Sequence, residues 1–132
     1  MVNLTGNETV VIQCDECPSL PTNFILIYTD DQGFGDVGVY GAADIATPNI
    51  DQLASEGIKF TNFYVPASVC TPSRAGLLTG CYPKRIGLHD GLCWPNDTYG
   101  LNPAETTIAE LLKNENYATA IVGKWHLGDL MN

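Results

Sequence analysis

Apolar and polar positions alternate along the chain in a recurring order of short apolar run, amphipathic stretch and short apolar run. Phe24-Ile25-Leu26-Ile27-Tyr28 is continuous, β-branched and aromatic, and stops at Asp30-Asp31-Gln32-Gly33. A run this short suits a strand buried on both faces rather than a helix. Ile58 to Val65 alternates apolar and polar at first and keeps strand composition throughout, and Ala118 to Val122 forms a third such run.

Between these runs lie three stretches with helical spacing and end signals. Thr47-Pro48 precedes Ile50, Leu53 and Ala54, and Gly57 closes the segment; an N-cap, a proline in the first turn and a glycine past the end are the expected boundaries. Thr71-Pro72 opens a second helix through Ala75, Leu77 and Leu78 to Gly80, with Cys70 just before its start. Thr106 is the expected cap of a third, carrying Ile108, Leu111 and Leu112 with Glu110 in its early turns, and Asn116 can close it in the left-handed conformation. Strand, helix and strand in succession predict an α/β fold with a mostly parallel sheet and flanking helices.

Residues 1–22 are polar, end in Pro18-Ser19-Leu20-Pro21 and read as a lead-in or linker. The 132 residues amount to about one small domain. With 45% hydrophobic and 16% charged residues the chain has material for a core and too little charge for a disordered or coiled-coil chain. Fifteen acidic against six basic side chains leave a net charge of −9, which argues against a nucleic-acid groove or an anionic membrane surface. No apolar run reaches the roughly 20 residues of a membrane span, and no basic start followed by a long apolar stretch marks an export signal. Asn3, Asn7 and Asn96 nevertheless head glycosylation sequons.

The five cysteines are an odd number, so an oxidising compartment would leave at least one unpaired. Cys14-Asp15-Glu16-Cys17 reads as structural thiols or a local disulfide, with half a zinc site or a redox pair as the alternative. Chemistry gathers at two expected strand ends. Asp30 and Asp31 are hard oxygen donors for a divalent cation if the backbone turns, as Gln32-Gly33 permits; otherwise they are a solvated turn. Lys124 and His126 flank Trp125 and would share one side of an extended backbone. Cys70, beside a helix start and Arg74, is either an activated thiol or a buried free cysteine. In an open parallel sheet the crevice beyond the carboxyl ends of the strands would bring these groups together.

Cys70-Thr71-Pro72-Ser73-Arg74, with Ala75-Gly76-Leu77-Leu78-Thr79-Gly80 and Tyr82-Pro83-Lys84-Arg85-Ile86-Gly87 behind it, closely resembles the signature of the type I sulfatases of the alkaline phosphatase superfamily. Asn23 to Gly33, Thr47-Pro48-Asn49-Ile50-Asp51 and Gly123-Lys124-Trp125-His126-Leu127-Gly128 match the same family in the same order, so the resemblance covers residues 23–129. It implies that a maturation enzyme converts Cys70 to formylglycine, whose hydrated aldehyde is the nucleophile. It further implies that Asp30, Asp31 and matured Cys70 hold a calcium ion, that Arg74 and Lys124 support the hydrate and the sulfate charge, and that His126 takes a proton from the second hydroxyl.

Consuming Cys70 in this way leaves four cysteines and three pairings. His89, in the glycine-rich loop after the signature, is a candidate substrate contact or an ordinary surface histidine; Cys81, Cys93 and Trp94 read as packing or disulfide residues. Family members are several times longer, so residues 23–132 are expected to be the N-terminal part of a catalytic domain, an incomplete sheet that is inactive alone. The family is mostly exported or lysosomal, which implies an extracytoplasmic location. The expected activity is hydrolysis of a sulfate ester. Hydrolysis of a phosphonate or phosphodiester, and a non-catalytic sulfatase-like protein, are the competing expectations.

Overall fold

A computed structural model of the chain describes residues 22–128; the expected lead-in, the Cys14/Cys17 pair and the Asn3 and Asn7 sequons therefore lie outside the described residues. The element order is two 3₁₀ turns, Phe34–Asp36 and Gly38–Tyr40, then helices α1 (Pro48–Glu56), α2 (Cys70–Thr79) and α3 (Ile108–Asn114).

The helices fall close to where the end signals put them, except that α2 starts at Cys70 after Val69 and so takes in the cysteine expected just before its start. Helix α1 starts at Pro48 after Thr47 and ends before Gly57. The Thr47 hydroxyl caps no backbone amide of the helix, however; it accepts from the Gly38 amide at 2.8 Å and donates at 3.2 Å to Asp51 Oδ1, which itself takes the Val39 amide at 2.6 Å. The Thr47-to-Asp51 stretch thus clamps the second 3₁₀ turn onto α1. Helix α2 ends at Gly80, whose φ of 67° closes the last turn with a bond from its amide to the Gly76 carbonyl. The cap of α3 is Thr107 rather than Thr106: its hydroxyl accepts from the Glu110 amide, and Glu110 returns a bond to the Thr107 amide at 2.8 Å. That reciprocal pair satisfies two orphan donors, which Thr106, one residue early, cannot do. Asn116 closes the helix in the left-handed region, at φ 66°.

The expected sheet is the main correction. None of the runs 24–28, 58–65 and 118–122 forms a strand ladder among the described residues. Phe24 nevertheless packs on Tyr117, ring centroids 5.6 Å apart, and Asp30 pairs with Lys124 at 3.0 Å. The first and third runs are therefore laid in the same direction and joined by side chains at both ends. Ile25, Ile27 and Val122 are 87%, 78% and 98% exposed. A parallel ladder persists where both faces are covered. Composition supplies the propensity, but nothing among the described residues covers these runs.

The core sits on α2. Ala75 is fully buried against Leu88, Cys93 and Leu127, with Leu78, Ile86 and Leu101 around them. The backbone after the third run is pressed onto the loop before α3: the Leu101 amide donates to the Leu127 carbonyl at 2.8 Å, and Gly128, at φ 87°, has no room for a Cβ, which would stand 2.7 Å from the Gly100 Cα. No helix among the described residues is long and apolar enough to cross a membrane.

The cap of α3 gives the first prediction. Thr107→Ala should lower the unfolding free energy by about 1 kcal/mol, while Thr106→Ala should leave it within about 0.5 kcal/mol. Urea denaturation of the two variants reads the difference.

Candidate functional site

Helix α2 begins at Cys70, and its first turn is the best-buried part of the chain: Thr71, Pro72 and Ser73 are all inside. That burial fixes what the neighbouring side chains can reach. Arg74, one turn along, is only 11% exposed. It donates from Nη1 to the Lys124 carbonyl at 2.9 Å, lies 3.5 Å from Asp30 Oδ1 through Nη2, and rests over the Tyr28 ring at 5.4 Å. The Tyr28 hydroxyl hydrogen-bonds Ser73, so the last residue of the first apolar run is tied to α2 through both its hydroxyl and its ring face.

Lys124 Nζ reaches both Asp30 oxygens, at 3.0 and 3.1 Å. Its hydrogen bond holds the Asp30 carboxyl below its ordinary value; partial burial opposes the shift, and the lysine charge and then Arg74 add to it. The Lys124 ammonium is raised in turn, chiefly by that bond against some desolvation, with the Cys70 sulfur close enough to add in the same direction. Lys124 is thus held by Asp30 with Cys70 nearby.

Asp30, Asp31, Cys70 and Arg74 line one open cleft of about 170 Å³ together with Tyr28, Gln32 and Ser73. The turn that aims two consecutive carboxylates comes at Asp31 itself, at φ 52°, not at Gly33, whose φ is −80°. A larger apolar cavity of about 320 Å³ adjoins the cleft, sharing Tyr28 and Ser73 and lined further by Phe63, Tyr64, Leu77 and Tyr82, and holds none of the charged groups.

His126 also lies in the left-handed region, at φ 56°, so strand alternation does not set its direction relative to Lys124. Its carbonyl accepts from the Thr71 hydroxyl at 2.8 Å, and its ring meets the edge of Trp94 at 6.2 Å. His126 Nδ1 and Arg74 Nε are buried without hydrogen-bond partners. Orphaned groups of this kind cost about 1–3 kcal/mol each and call for an explanation.

Two carboxylates and a sulfur at one cleft make an incomplete shell for a cation that takes 6–8 oxygens. No group of three or more His, Cys, Asp or Glu among the described residues is placed to hold a metal ion. His89 is exposed, stands 3.2 Å from Asp90 and does not line the cleft. Cys70, Cys81 and Cys93 are free thiols; burial pushes the Cys93 thiol up, which suits packing rather than reactivity. Sequence reasoning missed Tyr28 and Thr71; Trp94, read as a packing residue, packs its ring against His126 while staying 61% exposed. Only the placement of Thr71 inside the signature hinted at its part.

Charged groups from three separate stretches meet at the start of one helix, and the sequence model of the Sulfatase family matches residues 22–131. The chain belongs to the sulfatase family. It is 50% identical over 120 residues to arylsulfatase A of Bos taurus, an overlap of 91% of this chain and 24% of that protein. It is 45% identical over 125 residues to N-acetylgalactosamine-6-O-sulfatase of Bacteroides thetaiotaomicron, covering 95% of this chain and 24% of that one. The crystal structure of Ps i-CgsB superposes with a TM-score of 0.72 at 46% identity, over 76% of this chain and 22% of its own. This sulfatase chain therefore spans less than a quarter of the length of these relatives.

The ion pair gives a pH prediction. Asp30 is depressed, so the pair's contribution is complete above the ordinary carboxylate range and is lost as pH falls through the lowered Asp30 pKa. Lys124 is raised, so at the other end the contribution is lost only as pH climbs through the raised lysine pKa. Carboxyl NMR of calcium-free protein should find Asp30 titrating below its ordinary value, and Lys124→Met should move that midpoint up.

Proposed function

We propose that these residues form the N-terminal part of a sulfatase catalytic domain that hydrolyses a sulfate ester, with Cys70, matured to formylglycine, at its centre. Support comes above all from the convergence of Asp30, Arg74 and Lys124 beside Cys70, across 94 positions of sequence. The four charges of Asp30, Asp31, Arg74 and Lys124 cancel. A cation and an anionic ester can therefore enter together without leaving a large uncompensated charge, which a chain of net charge −9 could not offer elsewhere by default.

Asp30 and Asp31 fit part of a calcium shell by their chemistry and shared cleft, and matured Cys70 would face the same ion; the remaining oxygens come from the rest of the domain. When bound, the ion would act as a Lewis acid on the sulfate oxygens, and the formylglycine hydrate would be the nucleophile. Arg74 is held in one orientation by Tyr28 below it and the Lys124 carbonyl beside it, and its unpaired Nε–H is a buried donor suited to an oxyanion. Lys124 gives a second positive charge on the Cys70 side of the cleft. His126 moves a proton at the same centre, with Nδ1 already stripped of competing partners. A maturation enzyme acting on Cys70 implies passage through the compartment where that enzyme works, and with it an extracytoplasmic destination.

The 132-residue chain alone should give no turnover of an aryl sulfate above buffer. The complete polypeptide should hydrolyse sulfate esters, and Cys70→Ala should lower its kcat by at least about 10³-fold. Protein from the native host should show the peptide Phe60 to Arg74 lighter by about 18 Da, the change from thiol to aldehyde. Hydrolysis of phosphonates or phosphodiesters with sulfate esters untouched would overturn the assignment.

A further inference from the structure

Thr71 uses its hydroxyl differently from the other helical threonine. Thr79 bonds back to the Ala75 carbonyl at 2.7 Å, the usual choice inside a helix. Thr71 Oγ1 turns outward: it donates to the His126 carbonyl at 2.8 Å and accepts from the Cys93 amide at 3.0 Å. Its partners lie 55 and 22 residues away, and Thr71 itself is 0% exposed. The bond to the Cys93 amide is buried, and without the hydroxyl that amide would be a donor with no acceptor.

His126 needs such support. A histidine held at positive φ costs about 1–3 kcal/mol and persists where its surroundings over-determine it. The next residue is fixed independently, Leu127 being buried with its carbonyl bound to the Leu101 amide. The imidazole has no bond of its own through Nδ1. The ring is therefore placed by its backbone; Arg74 holds that backbone two residues earlier, at the Lys124 carbonyl, and the clamp on the His126 carbonyl itself is the hydroxyl next door to residue 70.

We propose that Thr71 is the positioning residue for His126, setting the imidazole relative to the residue 70 nucleophile while pinning the Cys93–Trp94 loop that flanks the ring. Thr71 touches neither substrate nor ion. Its functional half rests on the role given to His126 above; its structural half does not.

The test compares Thr71→Val, which keeps the shape and deletes both bonds, with Thr71→Ser, which keeps the hydroxyl and loses a methyl, in the complete polypeptide. In T71V the Cys93 amide should exchange with deuterium at least about tenfold faster, the measure of one lost hydrogen bond. Its kcat should fall about 100-fold, as expected for a group displaced by about 1 Å, with KM within about threefold. T71S should stay within about threefold of the parent in both readouts. If T71V does not fold, Thr71→Cys, whose thiol is a weaker donor, should fall between the other two in exchange and kcat.

Unchanged Cys93 exchange, or kcat kept by the valine variant, overturns the proposal, as does a serine variant as slow as valine. His126→Ala, assayed alongside, separates the two layers: full activity there refutes the role of His126, whereas the amide exchange still decides whether Thr71 holds the loop.

Discussion

The burial of the first turn of α2 is the constraint on which the rest of the site depends. Four consecutive residues from Thr71 to Arg74 point in different directions around the helix, and three of them reach stretches of chain distant in sequence. Thr71 takes His126 and Cys93, Ser73 takes Tyr28, and Arg74 takes Asp30 and the Lys124 carbonyl. Pro72, fully buried, stiffens the turn and has no amide to leave unsatisfied at a helix start. A single helical turn so becomes the common reference for residues that are distant in sequence.

The electrostatics follow from this arrangement. Asp30 is shared by two cations and half open to solvent, so its carboxylate is held charged without being sealed away. Surface pairs of this kind contribute little to stability and weaken in salt. Their value here is geometric: the pair holds Lys124 near Cys70 and keeps an acceptor pointing into the cleft. The cleft is thereby locally balanced in charge within a chain that is acidic as a whole.

What the sequence disclosed and what it withheld divide along physical lines. End signals are local, and Pro48, Gly57, Gly80 and Asn116 stand where their chemistry requires. The choice between Thr106 and Thr107 turned on which hydroxyl meets the Glu110 amide, a matter of one residue of phase. The apolar runs disclosed strand propensity but not strands, since a ladder is a property of two segments and their cover. The Asp30, Cys70, Arg74 and Lys124 cluster was legible as motifs. The turn at Asp31 and the outward hydroxyl of Thr71 were not, because a positive φ at a non-glycine residue and a tertiary hydrogen bond leave no periodic trace.

The site has its geometry although the sheet has no ladder, and this ordering has a cause. Backbone pairing of the first and third runs needs cover on both faces, whereas the contacts that gather the cleft are side chains attached to one well-packed helix. Two of the three expected strands are tied down near their carboxyl ends, Tyr28 and Asp30 by α2 and Lys124 by Arg74 and Asp30. Anchored there, parallel segments share a register at the end where the charged groups lie, although their apolar lengths stay exposed.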